Sequence, residues 1–204
     1  MSSTRYSAEI AAAAARLVVE EGLEYGPAKT RAARLVQQQL GGPVGALPDN
    51  DAIEDEVRDY LALFRADTQP AELLALRELA LVWMARLVEF RPHLCGAVWR
   101  GTATRLNDIH LELYCDDAKS AEIALLNQRA DYEVRAGTGP RGETVDVLSL
   151  SEMCAALGEH IGVHLRILDR DDVRGALKLD QRGRSERGDT AALHRLMAEP
   201  SPQA

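Results

Sequence analysis

Residues 95–114, CGAVWRGTATRLNDIHLELY, combine a glycine turn with a polar strand face, a pairing that suits metal and phosphate chemistry. In DIHLELY the polar residues Asp108, His110 and Glu112 alternate with apolar ones. Because side chains alternate between the two faces of a strand, we expect the three polar groups on one face. Gly96 lies twelve residues before Asp108, and a glycine turn lets backbone N–H groups approach phosphate oxygens without an intervening side chain. The segment therefore predicts a place where a metal ion and a nucleotide phosphate meet.

The same segment resembles the nucleotidyltransferase superfamily, of the minimal polymerase-β-like kind. The pattern of that family is a hydrophobic residue, Gly, then Gly or Ser, a spacer, and finally Asp, a hydrophobic residue and Asp or Glu. Here CGA at residues 95–97 stands at the turn, ten residues intervene, and DIH at residues 108–110 stands at the carboxylate pair. The joining segment RGTATRLNDI is also similar to that of the family, and the resemblance covers roughly residues 92–170.

The resemblance implies transfer of a nucleoside monophosphate from a nucleoside triphosphate (NTP) to an acceptor hydroxyl, with Mg²⁺ or Mn²⁺ as the cofactor. It implies that Asp108 is the principal metal ligand and that Asp146, in TVDVL, is the later carboxylate that helps to deprotonate the acceptor. The implied metal-ligating set is Asp108, His110, Glu112 and Asp146. The implied nucleotide-binding set is Gly96, Ala97, Arg100, Gly101 and Thr102.

Two residues depart from the chemistry that this reaction needs. Two magnesium ions require hard oxygen ligands, but His110 replaces the second acid with a nitrogen ligand that suits Zn²⁺ or Mn²⁺ better. Ala97 replaces a residue whose hydroxyl, when it is Ser, can hold a phosphate. Glu112 lies about 6.5 Å further along the strand, so it substitutes for the missing acid only if the metal shifts. We therefore expect an eroded metal site in a protein that either transfers a nucleotide or only binds one.

The elements that must position these residues indicate an α+β fold, with an N-terminal helical segment followed by a nucleotidyltransferase-like mixed β-sheet with flanking helices. Apolar residues recur at helical spacing up to Phe90, with breaks at Gly22 and at Gly41-Gly42. Asp49 or Asn50 is expected to cap a third helix whose buried face includes Phe64. The predicted divisions are a helical bundle at 1–91, the α/β domain at 92–178, and a polar linker with a short C-terminal helix at 179–204.

Beyond Pro92 the pattern changes to the alternation of strands. DIHLELY, DYEVRA, TVDVLSL and VHLRILD are predicted strands, and AKSAEIALLNQR is a predicted helix. SEMCAALGEH, residues 151–160, is predicted to form a short helix capped at Ser151. After a helix over residues 191–197, the Pro-containing tail is expected to be mobile.

Composition excludes several classes of protein. The 204 residues carry 24 Lys and Arg against 32 Asp and Glu, a net charge of −8, which argues against a general nucleic-acid or anionic-membrane binder. There is no apolar run long enough to span a bilayer and no signal-peptide pattern, so a cytoplasmic protein without membrane contact is expected. The three cysteines are odd in number and widely spaced, which predicts reduced, partly buried thiols.

Two further motifs resemble functional sites but have structural interpretations. GTGPRG, residues 137–142, connects two strands and contains a proline, so it predicts a hairpin turn rather than a dinucleotide site. His160 and His164 are four residues apart but lie at the start of a strand, so they do not share a helix face as zinc-protease histidines do.

Two other classes of function remain open. One is a non-catalytic binding or scaffold protein that uses the helical segment for homo-oligomer or partner contacts. The other is a DNA-binding regulator, which requires a contiguous basic surface over the second helix, where Lys29, Arg31 and Arg34 cluster.

Overall fold

The computed structural model describes residues 2–41, 46–176, 178–180 and 182–198, and it has the expected α+β fold. The helices are α1 (Ser2–Glu21), α2 (Tyr25–Leu40), α3 (Asn50–Phe64), α4 (Gln69–Arg86), α5 (Gly96–Arg100), α6 (Ala118–Asn127), α7 (Val173–Ala176) and α8 (Thr190–Ala198). The strands are β1 (His93–Cys95), β2 (Ile109–Cys115), β3 (Glu133–Thr138), β4 (Thr144–Cys154), β5 (Glu159–Asp169) and β6 (Arg187–Gly188). Short 3₁₀ turns lie at Val88–Phe90 and Arg170–Asp172.

The chain forms two compact units whose boundary differs from the predicted one at residue 91. The first unit comprises Met1–Pro70 with Thr102–Leu106, and the second comprises Ala71–Gly101 with Asn107–Ala204. Most of α4 therefore belongs with the sheet. The reason is its contacts there: Arg77 of α4 donates hydrogen bonds to the backbone carbonyls of Val98 and Trp99, which belong to α5.

The first unit is built on α1, which packs against both α2 and α3. Alanines of α1 and α2 allow these two helices to approach closely. The core is a single cluster of buried apolar residues: Ile10, Ala11, Ala14, Ala15, Leu17, Val18, Val19, Ala28, Ala32, Val36, Ile53, Val57 and Leu61. Asp49 caps α3 by accepting a hydrogen bond from the backbone N–H of Ala52, as predicted. Phe64 was expected in the core, but its position at the end of α3 leaves it 63% exposed.

The second unit is built on a six-stranded sheet of order β3-β4-β5-β2-β1-β6. Among the described strands, β2 and β5 pair in parallel, and the other neighbours are antiparallel. In the register of the parallel pair, His110 lies beside His164 and Glu112 lies beside Arg166. One of the two strands that neighbour β2 is therefore β5, which the sequence places far along the chain.

The two faces of the sheet differ in polarity because the strands alternate as expected. Leu111, Leu113, Val163 and Leu165 are fully or almost fully buried on one face, and α6 packs against β2 and β5. The opposite face carries the side chains between them, which include His110, Glu112, His164 and Arg166. The polar residues singled out in the sequence are thus grouped by strand geometry on one face.

The segment 151–160 is a strand hairpin, so the predicted short helix is wrong. β4 continues to Cys154, which pairs with Glu159 at the start of β5, and Gly158 completes the turn with φ of 67°. Met, Ala and Leu in this segment favour a helix, but eight consecutive cross-strand pairs between β4 and β5 outweigh that preference. The GTGPRG segment is a hairpin turn between β3 and β4, which confirms that interpretation.

The segment from residue 179 contributes more than a linker, because β6 adds an edge strand beside β1. The predicted C-terminal helix is confirmed as α8. The Pro-containing tail after residue 198 and the Gly42 half of the Gly41-Gly42 break lie outside the described residues. Within the described ranges, no helix has both the length and the apolar character needed to cross a membrane.

Candidate functional site

Asp108 stands immediately before β2, and other parts of the sheet hold both of its carboxylate oxygens. The backbone N–H of Gly162 donates to Oδ1 at 3.0 Å, and His164 Nε2 lies 3.0 Å from Oδ2. The hydrogen bond from His164 is the main cause that lowers the pKa of Asp108, and the Gly162 N–H adds to it. The carboxylate is about half exposed, at 47% of its side-chain surface. Asp108 is therefore an ionised, accessible group that the protein itself has already fixed in place.

His164 links Asp108 to the next strand along the sheet. Its second ring nitrogen, Nδ1, lies 2.9 Å from the hydroxyl of Ser149 on β4. The ring of His110 stacks against it with centroids 4.9 Å apart. Residues four apart on a strand share a face, so the spacing of His160 and His164 indicates that both side chains lie on one face of β5. It does not indicate that His164 meets Asp108 or Ser149.

The glycine turn lies beside the second residue of the predicted carboxylate pair. Gly96 begins α5 directly after β1, with φ of 72°. A Cβ on Gly96 would stand 3.6 Å from Cδ2 of His110, and Cys95 pairs with His110 across the two strands. The structure thus brings Gly96 beside His110, whereas the carboxylate of Asp108 is held by Gly162 and His164 of β5.

Glu112 lies on the same face, but it is not available to a metal ion. Its side chain is 4% exposed and forms ion pairs with Arg187 at 2.7 Å and with Arg166 at 3.5 Å. The hydroxyl of Tyr114 donates a third contact to it at 2.8 Å. Burial and the charge of Glu112 together raise the pKa of Tyr114. Arg187 and Arg166 therefore neutralise the buried carboxylate of Glu112, which does not replace a missing metal ligand.

Asp146 is not brought to Asp108, which corrects its predicted role as a third metal ligand. It lies on β4, which β5 separates from β2. Ser151 is the β4 residue that pairs with Gly162, so Asp146 stands five positions away, roughly 16 Å along the strand. The odd number of positions also places Asp146 on the opposite face of the sheet, where the charge of Lys119 is near it.

The remaining predicted nucleotide contacts divide between the two units. Ala97, Arg100 and Gly101 belong with α5 in the second unit, whereas Thr102 belongs with the first. Gly101 ends α5 in the left-handed conformation, with φ of 82°. The Thr102 hydroxyl is buried and has no hydrogen-bond partner among the described residues.

Over the described residues, no group of three or more His, Cys, Asp or Glu side chains has the arrangement of a metal site. This agrees with the separation of Asp146 and the pairing of Glu112. A cavity of about 500 Å³ opens instead near the ends of β2 and β5, where Tyr114, Leu168 and Arg187 contribute to its wall. None of the predicted site residues lines that cavity.

Comparison with models of known protein families, with curated proteins and with solved structures finds no match for this chain. The nucleotidyltransferase resemblance therefore rests on the residues of the turn and strand alone.

The three cysteines are unpaired, as predicted. Burial raises the pKa of Cys95 to about 12 and the pKa of Cys115 to about 11. A raised pKa lowers the thiolate fraction at neutral pH, and the thiolate is the reactive form. We expect the folded protein to react slowly with Ellman's reagent near pH 8, and the unfolded protein to expose all three thiols at once. Immediate reaction of Cys95 or Cys115 in the folded state, followed by peptide mapping, would contradict this.

Proposed function

We propose that this protein is a nucleotidyltransferase-like nucleotide-binding protein that has lost two-metal nucleotide transfer. The observation that carries the proposal is the position of Gly96, which begins α5 and where an added Cβ would stand 3.6 Å from Cδ2 of His110 on β2. Glycine leaves the backbone N–H groups of such a turn open to phosphate oxygens. An NTP is therefore the proposed ligand.

The loss of transfer follows from the count of acids that can share a metal with Asp108. A second ligand must stand on β2 or on a strand beside it. On the polar face of β5 the neighbouring positions are Gly162, His164 and Arg166, and none of them is an acid. Two magnesium ions bound mainly by one carboxylate would lack the hard oxygen ligands that they require. We propose that the NTP binds without Mg²⁺ or Mn²⁺ and is not consumed.

The test is calorimetric titration with ATP, GTP, CTP and UTP, first without metal and then with Mg²⁺ or Mn²⁺. Gly96→Ala is the critical variant because an alanine at φ of 72° is strained by about 1–2 kcal/mol. Relief of that strain distorts the turn, so we expect affinity to fall by about tenfold. Gly142→Ala is the matched control, since Gly142 has φ of 83° but stands in open space in the β3–β4 turn.

Three results would contradict the proposal. One is equal affinity of the two glycine variants, and another is the absence of binding to all four NTPs. The third is NTP binding that requires a metal ion and is lost in Asp108→Asn. That result would favour the hypothesis of a metal-dependent nucleotidyltransferase. Incubation with labelled NTP and analysis for transferred label provides the direct check on catalysis.

A second candidate is a non-catalytic scaffold that uses the helical unit for homo-oligomer or partner contacts. The observation in its favour is that Leu63 and Phe64 are 76% and 63% exposed at the end of α3. Sedimentation of the wild type and of Phe64→Ser tests it. A wild type that sediments as an oligomer and a variant that sediments as a monomer would support self-association through this patch. Equal monomer mass in both proteins would exclude a homo-oligomer that depends on Phe64.

A further inference from the structure

Three side chains from different parts of the sheet form one continuous hydrogen-bonded chain. Ser149 Oγ lies 2.9 Å from His164 Nδ1, and His164 Nε2 lies 3.0 Å from Asp108 Oδ2. A hydroxyl, an imidazole and a carboxylate in this order form the arrangement by which serine nucleophiles are activated. The two ring nitrogens are used in the reverse of the usual order.

The direction of the hydrogen bonds follows from the acceptor at the end of the chain. Asp108 is ionised at neutral pH and can only accept hydrogen bonds. His164 Nε2 must therefore carry the proton that it shares with Asp108. In the neutral form of the ring Nδ1 has a lone pair, and the Ser149 hydroxyl donates to it. The proton of Ser149 consequently points at a base that is ready to accept it.

Gly162 on β5 leaves the space that the side chain of Asp108 occupies. A Cβ at residue 162 would stand 2.6 Å from the Cγ of Asp108, a distance that real atoms do not adopt. The absence of a side chain lets the carboxylate cross to β5, where the Gly162 N–H fixes its other oxygen. Ser149 and His164 are directly opposite in the β4–β5 register. Strand pairing thus sets both hydrogen bonds.

We propose that Ser149 is a nucleophile for small acyl esters, with His164 as its general base and Asp108 as the positioning residue. The size of the acyl group is limited because Ser149 is only 9% exposed. The approach is from the polar face, where the side chains of His164 and Asp108 are 22% and 47% exposed. This site does not depend on nucleotide binding at the Gly96 turn.

The reaction is balanced with water as the second substrate. Ser149 Oγ bonds to the ester carbonyl carbon while its proton passes to His164 Nδ1. The bond from that carbon to the leaving oxygen breaks, and the same proton moves from Nδ1 to the departing alcohol. Water then adds to the acyl-Ser149 carbonyl and gives a proton to Nδ1. Ser149 leaves with that proton, and the carboxylic acid is released.

The test uses p-nitrophenyl acetate with the full chain, and it measures p-nitrophenol release and acetylation of peptides after an acid quench. We expect acetyl-Ser149 in the wild type, none in Ser149→Ala, and release slowed by about 100-fold in Ser149→Ala and His164→Ala. Ser151→Ala is the matched control, because Ser151 lies two positions along β4 and its hydroxyl is 3.3 Å from Nδ1 of a different histidine, His160. We expect its acetylation of Ser149 to equal that of the wild type.

Absence of acetyl-Ser149 in wild-type protein with an intact circular dichroism spectrum would overturn the proposal. Acetylation at Ser149 that persists in His164→Ala would overturn the assignment of the base. The nucleotide titrations are repeated on Ser149→Ala, which leaves the Gly96 turn unchanged. Loss of esterase reactivity and loss of NTP binding are therefore separately visible.

Asp108 is tested as a positioning residue by the tautomer of His164. Two-bond ¹H–¹⁵N spectra report which ring nitrogen carries the proton. We expect the Nε2–H form in the wild type and the Nδ1–H form in Asp108→Asn, whose amide can donate to Nε2. Acetylation of Ser149 should then fall by about 100-fold. An unchanged tautomer together with unchanged acetylation would show that Asp108 does not position the base.

Discussion

Arg187→Ala is expected to lower the free energy of unfolding by about 3 kcal/mol, the lower part of the range for breaking a buried ion pair. Arg187 contacts Glu112 at 2.7 Å, and the two side chains are 18% and 4% exposed. Without Arg187 the buried carboxylate keeps the longer, 3.5 Å contact with the more exposed Arg166 and the Tyr114 hydroxyl. That remaining support keeps the expected loss away from the upper end of the range.

Urea unfolding followed by circular dichroism measures the loss, with an unchanged slope expected for both variants. The matched control is Arg170→Ala, whose partner Asp116 is 2.8 Å away but whose pair is largely exposed. We expect that change to cost less than about 1 kcal/mol. The double variant Arg187→Met/Glu112→Gln should recover part of the loss, because no buried carboxylate is left unpaired. Equal costs for Arg187→Ala and Arg170→Ala would refute the importance of burial here.

The sequence predicts the strands of this fold correctly where polar and apolar residues alternate along the chain. Burial alternates along most of β5 because one of its faces meets the apolar core. β2 alternates in polarity, but it is buried on both faces from Leu111 to Cys115. Residues 151–160 were misread because their composition favours a helix, whereas pairing of β4 with β5 determines their conformation. Partners for backbone hydrogen bonds lie elsewhere in the chain, so local composition does not reveal them.

The candidate site could likewise be predicted only where its residues lie in one short segment of the chain. The spacing along residues 96–110 predicted that the glycine turn lies beside the polar strand, and Gly96 does stand beside His110. Asp146 was chosen by its order in the chain, but the sheet places β5 rather than β4 beside β2. The order of strands in a sheet depends on how distant segments pack. The chain that joins Ser149 to Asp108 through His164 depends on that order, so sequence spacing could not predict it.

Gly188→Ala is expected to cost about 3 kcal/mol in the free energy of unfolding, since the added methyl group overlaps a buried ring. A Cβ at residue 188 would stand 2.1 Å from Cη2 of Trp99. The ring cannot simply retreat, because its Nε1 donates a hydrogen bond to the Ser185 carbonyl at 2.7 Å. Overpacking of this kind costs about 1–3 kcal/mol, and loss of the hydrogen bond adds about 1 kcal/mol.

Urea unfolding of Gly188→Ala and Gly175→Ala provides the comparison, because a Cβ at Gly175 in α7 meets nothing within 4 Å. Gly175→Ala is expected to be neutral or slightly stabilising, since alanine favours a helix over glycine. Trp99→Phe combined with Gly188→Ala should recover part of the loss by shortening the ring. Unfolding of Gly188→Ala at the wild-type midpoint would show that Trp99 is free to move. Because Trp99 lies on α5, three residues after Gly96, its displacement should also weaken the NTP binding that we propose at the glycine turn.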